Sequence, residues 1–166
     1  MNHRQCDFRS LTRVSCGIWL AAVITSVGLA QGEARIGTWE LNLSKSTFSP
    51  GPAPMRQTLT FQAAGPQWIA LLQGIDATGR PINPDMNNLM ISFDGREHST
   101  PTSDYDTTAW KRVNETTYEV IRKKDGKVVL TSTNVLSKDG RTMTITTKGH
   151  DAAGRAIYNV RVYDRQ

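Results

Sequence analysis

The chain predicts an all-β protein laid out as an antiparallel meander. Three near-identical turns punctuate its second half: Lys124-Asp125-Gly126-Lys127, Lys138-Asp139-Gly140-Arg141 and Ala153-Gly154-Arg155. Each lies between runs rich in Val, Ile, Thr and Tyr, whose branched or aromatic side chains suit a pleated sheet. The rest of the chain beyond residue 30 shows no helical period. Asp-Gly supplies the positive-φ positions a tight hairpin needs, because glycine has no Cβ and aspartate tolerates the left-handed region. Hairpins in series set consecutive strands side by side.

The first 30 residues read as a secretory leader. Arg4, Arg9 and Arg13 outweigh one acid, Asp7, and Val14 to Ala30 carries no charge. Gly28-Leu29-Ala30 offers the small residues of a cleavage site, so cleavage is expected after Ala30 or, alternatively, after Ala34. The rival is an uncleaved anchor, but the uncharged run is short for a bilayer and is interrupted by glycines and hydroxyls. Both cysteines, Cys6 and Cys16, fall in the leader. The remaining single domain, residues 31–166, therefore has no disulfide, thiolate metal ligand or cysteine nucleophile. It is expected to be periplasmic or secreted, without stable membrane insertion after cleavage. The whole chain has 20 Lys and Arg against 15 Asp and Glu; without the leader 17 and 14 remain. Such a mildly basic surface is no nucleic-acid footprint, and export argues against that partner.

Ile36–Leu43 alternates, with Trp39, Leu41 and Leu43 on one face. Pro50, Pro52 and Pro54 then keep the chain extended and forbid a helix. Strands follow at Gln57–Gln62 and Gln67–Ile75, and another is expected at Leu89–Phe93, ending in Asp94-Gly95. His98–Asp104 reads as a loop. Tyr105–Val113, Thr116–Lys123, Lys127–Leu136, Thr142–Lys148 and Ala156–Asp164 are five strands joined by short turns. A meander of this size leaves unpaired edges unless it closes, so an up-and-down barrel of about eight to ten strands is expected. A two-sheet sandwich is less compatible, because the second half has no long crossover. An outer-membrane barrel is also disfavoured: Thr142, Thr144, Thr146 and Lys148 share one strand face that would have to meet lipid.

Two short segments carry a family resemblance. Gly37-Thr38-Trp39-Glu40-Leu41 resembles the opening strand shared by lipocalins, fatty-acid-binding proteins and avidins. The resemblance implies that Gly37 and Trp39 are structural, with the indole across the closed end of the barrel. Val160-Arg161-Val162-Tyr163-Asp164 resembles the last strand of the fatty-acid-binding proteins, which implies that Arg161 and Tyr163 hold a ligand carboxylate. The domain also resembles a type of bacterial exported protein that opens with such a strand and a Pro-Gly-Pro loop. One departure is plain: fatty-acid-binding proteins cover the barrel mouth with two helices after the first strand, where this chain has its proline-rich loop. The mouth must then be built from loops.

The residues leave two orientations open for the last strand. Arg161 and Tyr163 are two apart and point the same way, so both facing inward would grip a carboxylate with charge-assisted hydrogen bonds. Alternatively Tyr158, Val160 and Val162 form the core face and Arg161 lies outside, or an arginine packs on Trp39 as a cation–π pair. The aromatic residues Trp39, Phe48, Phe61, Trp68, Phe93, Trp110 and Tyr118 either line a cavity or fill a small barrel. On the cavity reading, Trp68, Trp110 and Tyr118 join Arg161 and Tyr163 as ligand-binding residues. His98 and His150 fall in a loop and a turn, too isolated for a metal site. With no nucleophile elbow, phosphate loop or zinc motif, no catalytic residue, metal or cofactor is expected. The sequence points to an exported, non-catalytic barrel for a small apolar or amphipathic ligand, with a carboxylate-bearing lipid as one candidate. The alternative is a filled barrel acting as a protein–protein module, such as a periplasmic inhibitor or envelope-associated structural barrel.

Overall fold

The computed structural model describes residues 34–82, 89–100 and 102–166. The leader and both of its cysteines lie outside the described residues. Eleven strands follow in order: β1 Gly37–Leu41, β2 Thr47–Ser49, β3 Arg56–Ala64, β4 Gln67–Ile75, β5 Leu89–Ile91, β6 Asp94–Ser99, β7 Thr107–Arg112, β8 Thr117–Lys124, β9 Lys127–Leu136, β10 Thr142–His150 and β11 Ala156–Arg165. All belong to one antiparallel sheet in the order β5-β4-β3-β1-β11-β10-β9-β8-β7-β6, with β2 attached to β11. The first long strand thus pairs with the last, as Leu41 with Tyr163 and Trp39 with Arg165. The expected meander is present and curls into a barrel. β5 and β6, the ends of the hydrogen-bonded path, are neighbours in the chain through Ser92 and Phe93.

The turns form as their residues demand. Asp125 and Gly126 have φ of 49° and 72°, the left-handed pair that lets β8 fold directly onto β9. At the β10–β11 turn the side chain does more of the work. Asp151 Oδ1 accepts from the backbone N–H groups of Ala153 and Arg155 at 3.0 and 2.8 Å. Asp76 makes the same pattern after β4, accepting from Thr78 and Arg80. The two turns read Asp-Ala-Thr-Gly-Arg and Asp-Ala-Ala-Gly-Arg, so similar sequence gives similar geometry.

The barrel departs from the sequence expectation in three places. β1 stops at Leu41, and Leu43 begins a 3-10 turn, Leu43–Lys45, where it is 42% exposed rather than on the Trp39 face. Asn42 ends the strand by accepting Lys45 N–H on its side chain. The segment Asp94–Ser99, expected to be turn and loop, is a strand held on β7 through a bulge, and it places His98 opposite Thr108. β2 is an unexpected short strand, with Phe48 opposite Asn159. Of the two orientations left open for β11, the structure has Arg161 and Tyr163 inward and the Tyr158 face outward. Tyr158 is 53% exposed, while Tyr163 is fully buried.

Candidate ligand-binding site

Side chains two apart share a sheet face, so the barrel interior can be read strand by strand. β3 sends in Gln57, Leu59 and Phe61, all buried. β8 sends in Tyr118 and Val120, then Arg122; β9 sends in Leu136, Asn134 and Ser132. β10 contributes Met143, Ile145 and Thr147, and β11 contributes Tyr163 and Arg161. The interior therefore changes character along its axis and around its wall.

The closed end is a plug. Trp39 is fully buried, and its indole N–H donates to the Arg35 carbonyl at 2.8 Å. Gly37 makes the entry to β1 possible with φ of 131°, and a Cβ there would lie 3.3 Å from Arg165 Nη2. The cation on Trp39 is Arg165, with Cζ 5.3 Å from the ring, and not Arg161. Arg165 also donates to the carbonyls of Ala34 and Ile36. Arg35, which the sequence reading passed over, is buried with Cζ 4.4 Å from the Tyr118 ring. Its Nη2 donates to the carbonyls of Thr116 and Asn134. Burial lowers its pKa to about 10, with Tyr118 opposing that shift and Arg112 adding to it. Trp68 and Tyr118 pack around Phe93, at 4.6 and 4.8 Å between ring centroids. Phe93 sits in the link between the two edge strands, so this stack fastens the sheet's ends across its open seam.

Above the plug lies a cavity of about 210 Å³. Leu59, Phe61, Ala70, Leu72 and Leu89 make an apolar wall on β3, β4 and β5. On the opposite wall, β8 to β11, the polar side chains of Arg122, Ser132, Asn134, Thr147, Arg161 and Tyr163 alternate with Val120, Leu130 and Ile145. Of the residues singled out from the sequence, Arg161, Tyr163 and Trp110 come together here; Trp68 and Tyr118 stand in the stack below. Arg161 Nη2 donates to Thr147 Oγ1 at 3.2 Å, and its Nε is buried without a hydrogen-bond partner. The Tyr163 hydroxyl donates to Gln57 Oε1 at 2.6 Å. Burial raises the Tyr163 pKa above the usual phenol value, against the pull of the neighbouring Arg161 charge. Arg122 was not anticipated, yet it follows Tyr118 and Val120 at the strand period of two. Its Nη1 donates to Ser132 Oγ at 3.0 Å, and Tyr105 lies 5.4 Å from its Cζ. Burial lowers the Arg122 pKa; Tyr105 opposes this and the Arg161 charge reinforces it.

A second hollow of about 300 Å³ lies under the proline segment, between Phe48, Pro52, Pro54, Ile82 and Ile157. It shares Leu130, Thr147 and Arg161 with the inner cavity, so Arg161 stands between the two spaces. His98 lies on the outside, with Nε2 3.0 Å from Asp94 Oδ1, and this contact lowers the Asp94 pKa. Among the described residues no group of three or more His, Cys, Asp or Glu side chains gathers as a metal site would require.

Neither a protein-family model nor a curated relative matches the sequence. The fold does have solved counterparts. Zebrafish ileal bile acid-binding protein, solved in complex with cholic acid, superposes with a TM-score of 0.51. The match covers 80% of this chain and 99% of that one at 11% identity. At that identity the likeness is one of fold. The chain adopts the calycin type of antiparallel barrel shared by fatty-acid- and bile-acid-binding proteins.

Proposed function

We propose that the protein is an exported, non-catalytic barrel that binds a small amphipathic ligand bearing an acid group. The observation that carries this reading is a cavity with an apolar wall on β3 to β5 and two arginines, with no acid among the described lining residues, on the wall facing it. An apolar ligand would leave Arg161 Nε and the guanidinium charge without compensation in a desolvated space, at a cost that favours an anion. A carboxylate beside Arg161 would accept from its unpartnered Nε–H, a charged donor, and from the Tyr163 hydroxyl once that group turns away from Gln57 Oε1. Its chain would lie on Leu59, Leu72 and Leu89, with the hollow under the proline loop as the way in. The fold neighbour's cholic acid is itself an amphipathic carboxylate, which supports the ligand class. A protein–protein module with a filled interior has less support, because the space above the plug is not filled.

Decanoate and decanol form the direct test. Arg161→Ala is expected to weaken decanoate by about 1.5–3 kcal/mol, tenfold or more, and to leave decanol unchanged. A variant that binds both as the wild type does would remove Arg161 from the site. Export rests on the uncharged Val14–Ala30 run and its basic head. N-terminal sequencing of protein from the envelope fraction is expected to begin after Ala30 or Ala34. An intact Met1 would indicate an anchor.

A further inference from the structure

We propose that the head-group site is matched to a dianion, a phosphate monoester on an alkyl chain, held between Arg122 and Arg161. This deepens the binding reading above and rests on it. Both guanidiniums line one cavity, and no Asp or Glu lines it among the described residues. They arrive from different strands, β8 and β11, with β9 and β10 between them. A run of hydroxyls closes the distance. Arg122 Nη1 donates to Ser132 Oγ at 3.0 Å, Ser132 Oγ and Thr147 Oγ1 are 2.9 Å apart, and Arg161 Nη2 donates to Thr147 Oγ1 at 3.2 Å. The two cations thus face one small space, joined through neutral oxygen acceptors.

A single carboxylate answers half of this arrangement. It brings one charge and two oxygens, which Arg161 uses, with the Tyr163 hydroxyl joining only by leaving Gln57 Oε1. Arg122 is left with neutral partners, Ser132 Oγ and the Tyr105 ring, beside the like charge of Arg161. A phosphate monoester brings up to two charges and three terminal oxygens on a tetrahedron, so one head group can accept from both guanidiniums. Ser132 and Thr147 hydroxyls rotate freely enough to turn from acceptors for arginine into donors for phosphate. The apolar wall serves the alkyl chain as before.

Three ligands test this by calorimetry on the wild-type protein: decanoate, monodecyl phosphate and methyl decyl phosphate. The last has the same tetrahedral head but remains a monoanion. At about pH 8, above the second phosphate pKa of about 6, the monoester should bind at least about tenfold more tightly than the diester. At about pH 5, where the monoester has regained a proton, the two should converge. Arg122→Gln should abolish the monoester's advantage at the higher pH while decanoate still binds. Equal affinities for monoester and diester at the higher pH would overturn the proposal, as would an advantage that survives Arg122→Gln. If decanoate binds and the monoester gains nothing, the dianion assignment falls and the acid-binding reading stands. If no decyl ligand binds, both fall. The monoester–diester comparison needs only wild-type protein, so it decides the matter even if the Gln variant does not fold.

Discussion

Arginines stand at both ends of the barrel, buried Arg35 and exposed Arg165 at the closed one, and the two ends treat them differently. At the closed end Arg35 and Arg165 donate to backbone carbonyls and stack on the rings of Tyr118 and Trp39. Those partners are fixed by the fold, although Arg35 Nε and Nη1, like Arg161 Nε, are buried without a hydrogen-bond partner. In the upper half Arg122 and Arg161 donate to the hydroxyls of Ser132 and Thr147. A hydroxyl is a neutral acceptor on a rotatable bond, and a bound anion would outcompete it. The difference separates two uses of the same residue type: a cation locked into a plug contributes to folding, and a cation held loosely beside empty space is available to a ligand.

Replacements at the two ends should therefore change different observables. The largest effect is expected from Trp39→Ala, which opens a cavity in the plug and removes the contacts to Arg35 and Arg165. Denaturant unfolding should show a loss of about 3–5 kcal/mol. An unchanged midpoint would break the plug assignment. Trp68→Ala and Trp110→Ala sharpen the contrast between the ends. Trp68 belongs to the Phe93 stack, so its loss should cost roughly 2–4 kcal/mol of stability. Trp110 meets Phe93 edge-on at 6.3 Å but also lines the cavity, so its loss should cost less stability than Trp68→Ala and should weaken decanoate more than Trp68→Ala does. The reverse pattern would place the functional boundary in the wrong half.

Tyr163→Phe gives a smaller effect with a pH signature. At neutral pH it leaves buried Gln57 Oε1 without its donor and should cost about 1–2 kcal/mol. The unfolded phenol ionises near 10.0, and the folded one only at higher pH. Between those values unfolding releases a proton, so wild-type stability falls as pH rises. The Phe variant lacks this term, and the gap between the two proteins should narrow above about pH 10. A gap that is constant or widens would argue against a buried phenol. The smallest effect is expected outside the barrel. Lys45 pairs with Asp164 at 3.2 Å, but its side chain is 55% exposed, so Lys45→Ala should stay within about 0.5 kcal/mol of wild type.

The strands legible in the sequence were those whose ends are set by turn chemistry. Gln67–Ile75 and Lys127–Leu136 match the observed strands because Gly-Pro, Asp-Gly and Lys-Asp-Gly signals bound them. β6 was illegible for a physical reason. All six of its residues are exposed, so it carries no alternation, and pairing with β7 alone makes it a strand. The proline-flanked β2 likewise exists through its register with β11. The orientation of β11 was ambiguous because Tyr158, Val160 and Val162 make the more apolar face. The inner face nonetheless carries Arg161 and Tyr163, whose polar tips meet Thr147 and Gln57 inside the barrel, partners that hydropathy along β11 does not reveal. Arg122 was hidden for the same reason, as a charged residue continuing the inward face of Tyr118 and Val120.

The central claim is that Arg161 and Tyr163 hold an acid inside the barrel. It is tested most directly by NMR titration of the protein with decanoate labelled at its carboxyl carbon. The expected result is one saturable site in which the bound carboxyl titrates at lower pH than free decanoate, because the guanidinium favours the charged form. A bound carboxyl that titrates at higher pH, as burial without a cation would impose, or the absence of saturable binding, would contradict the account.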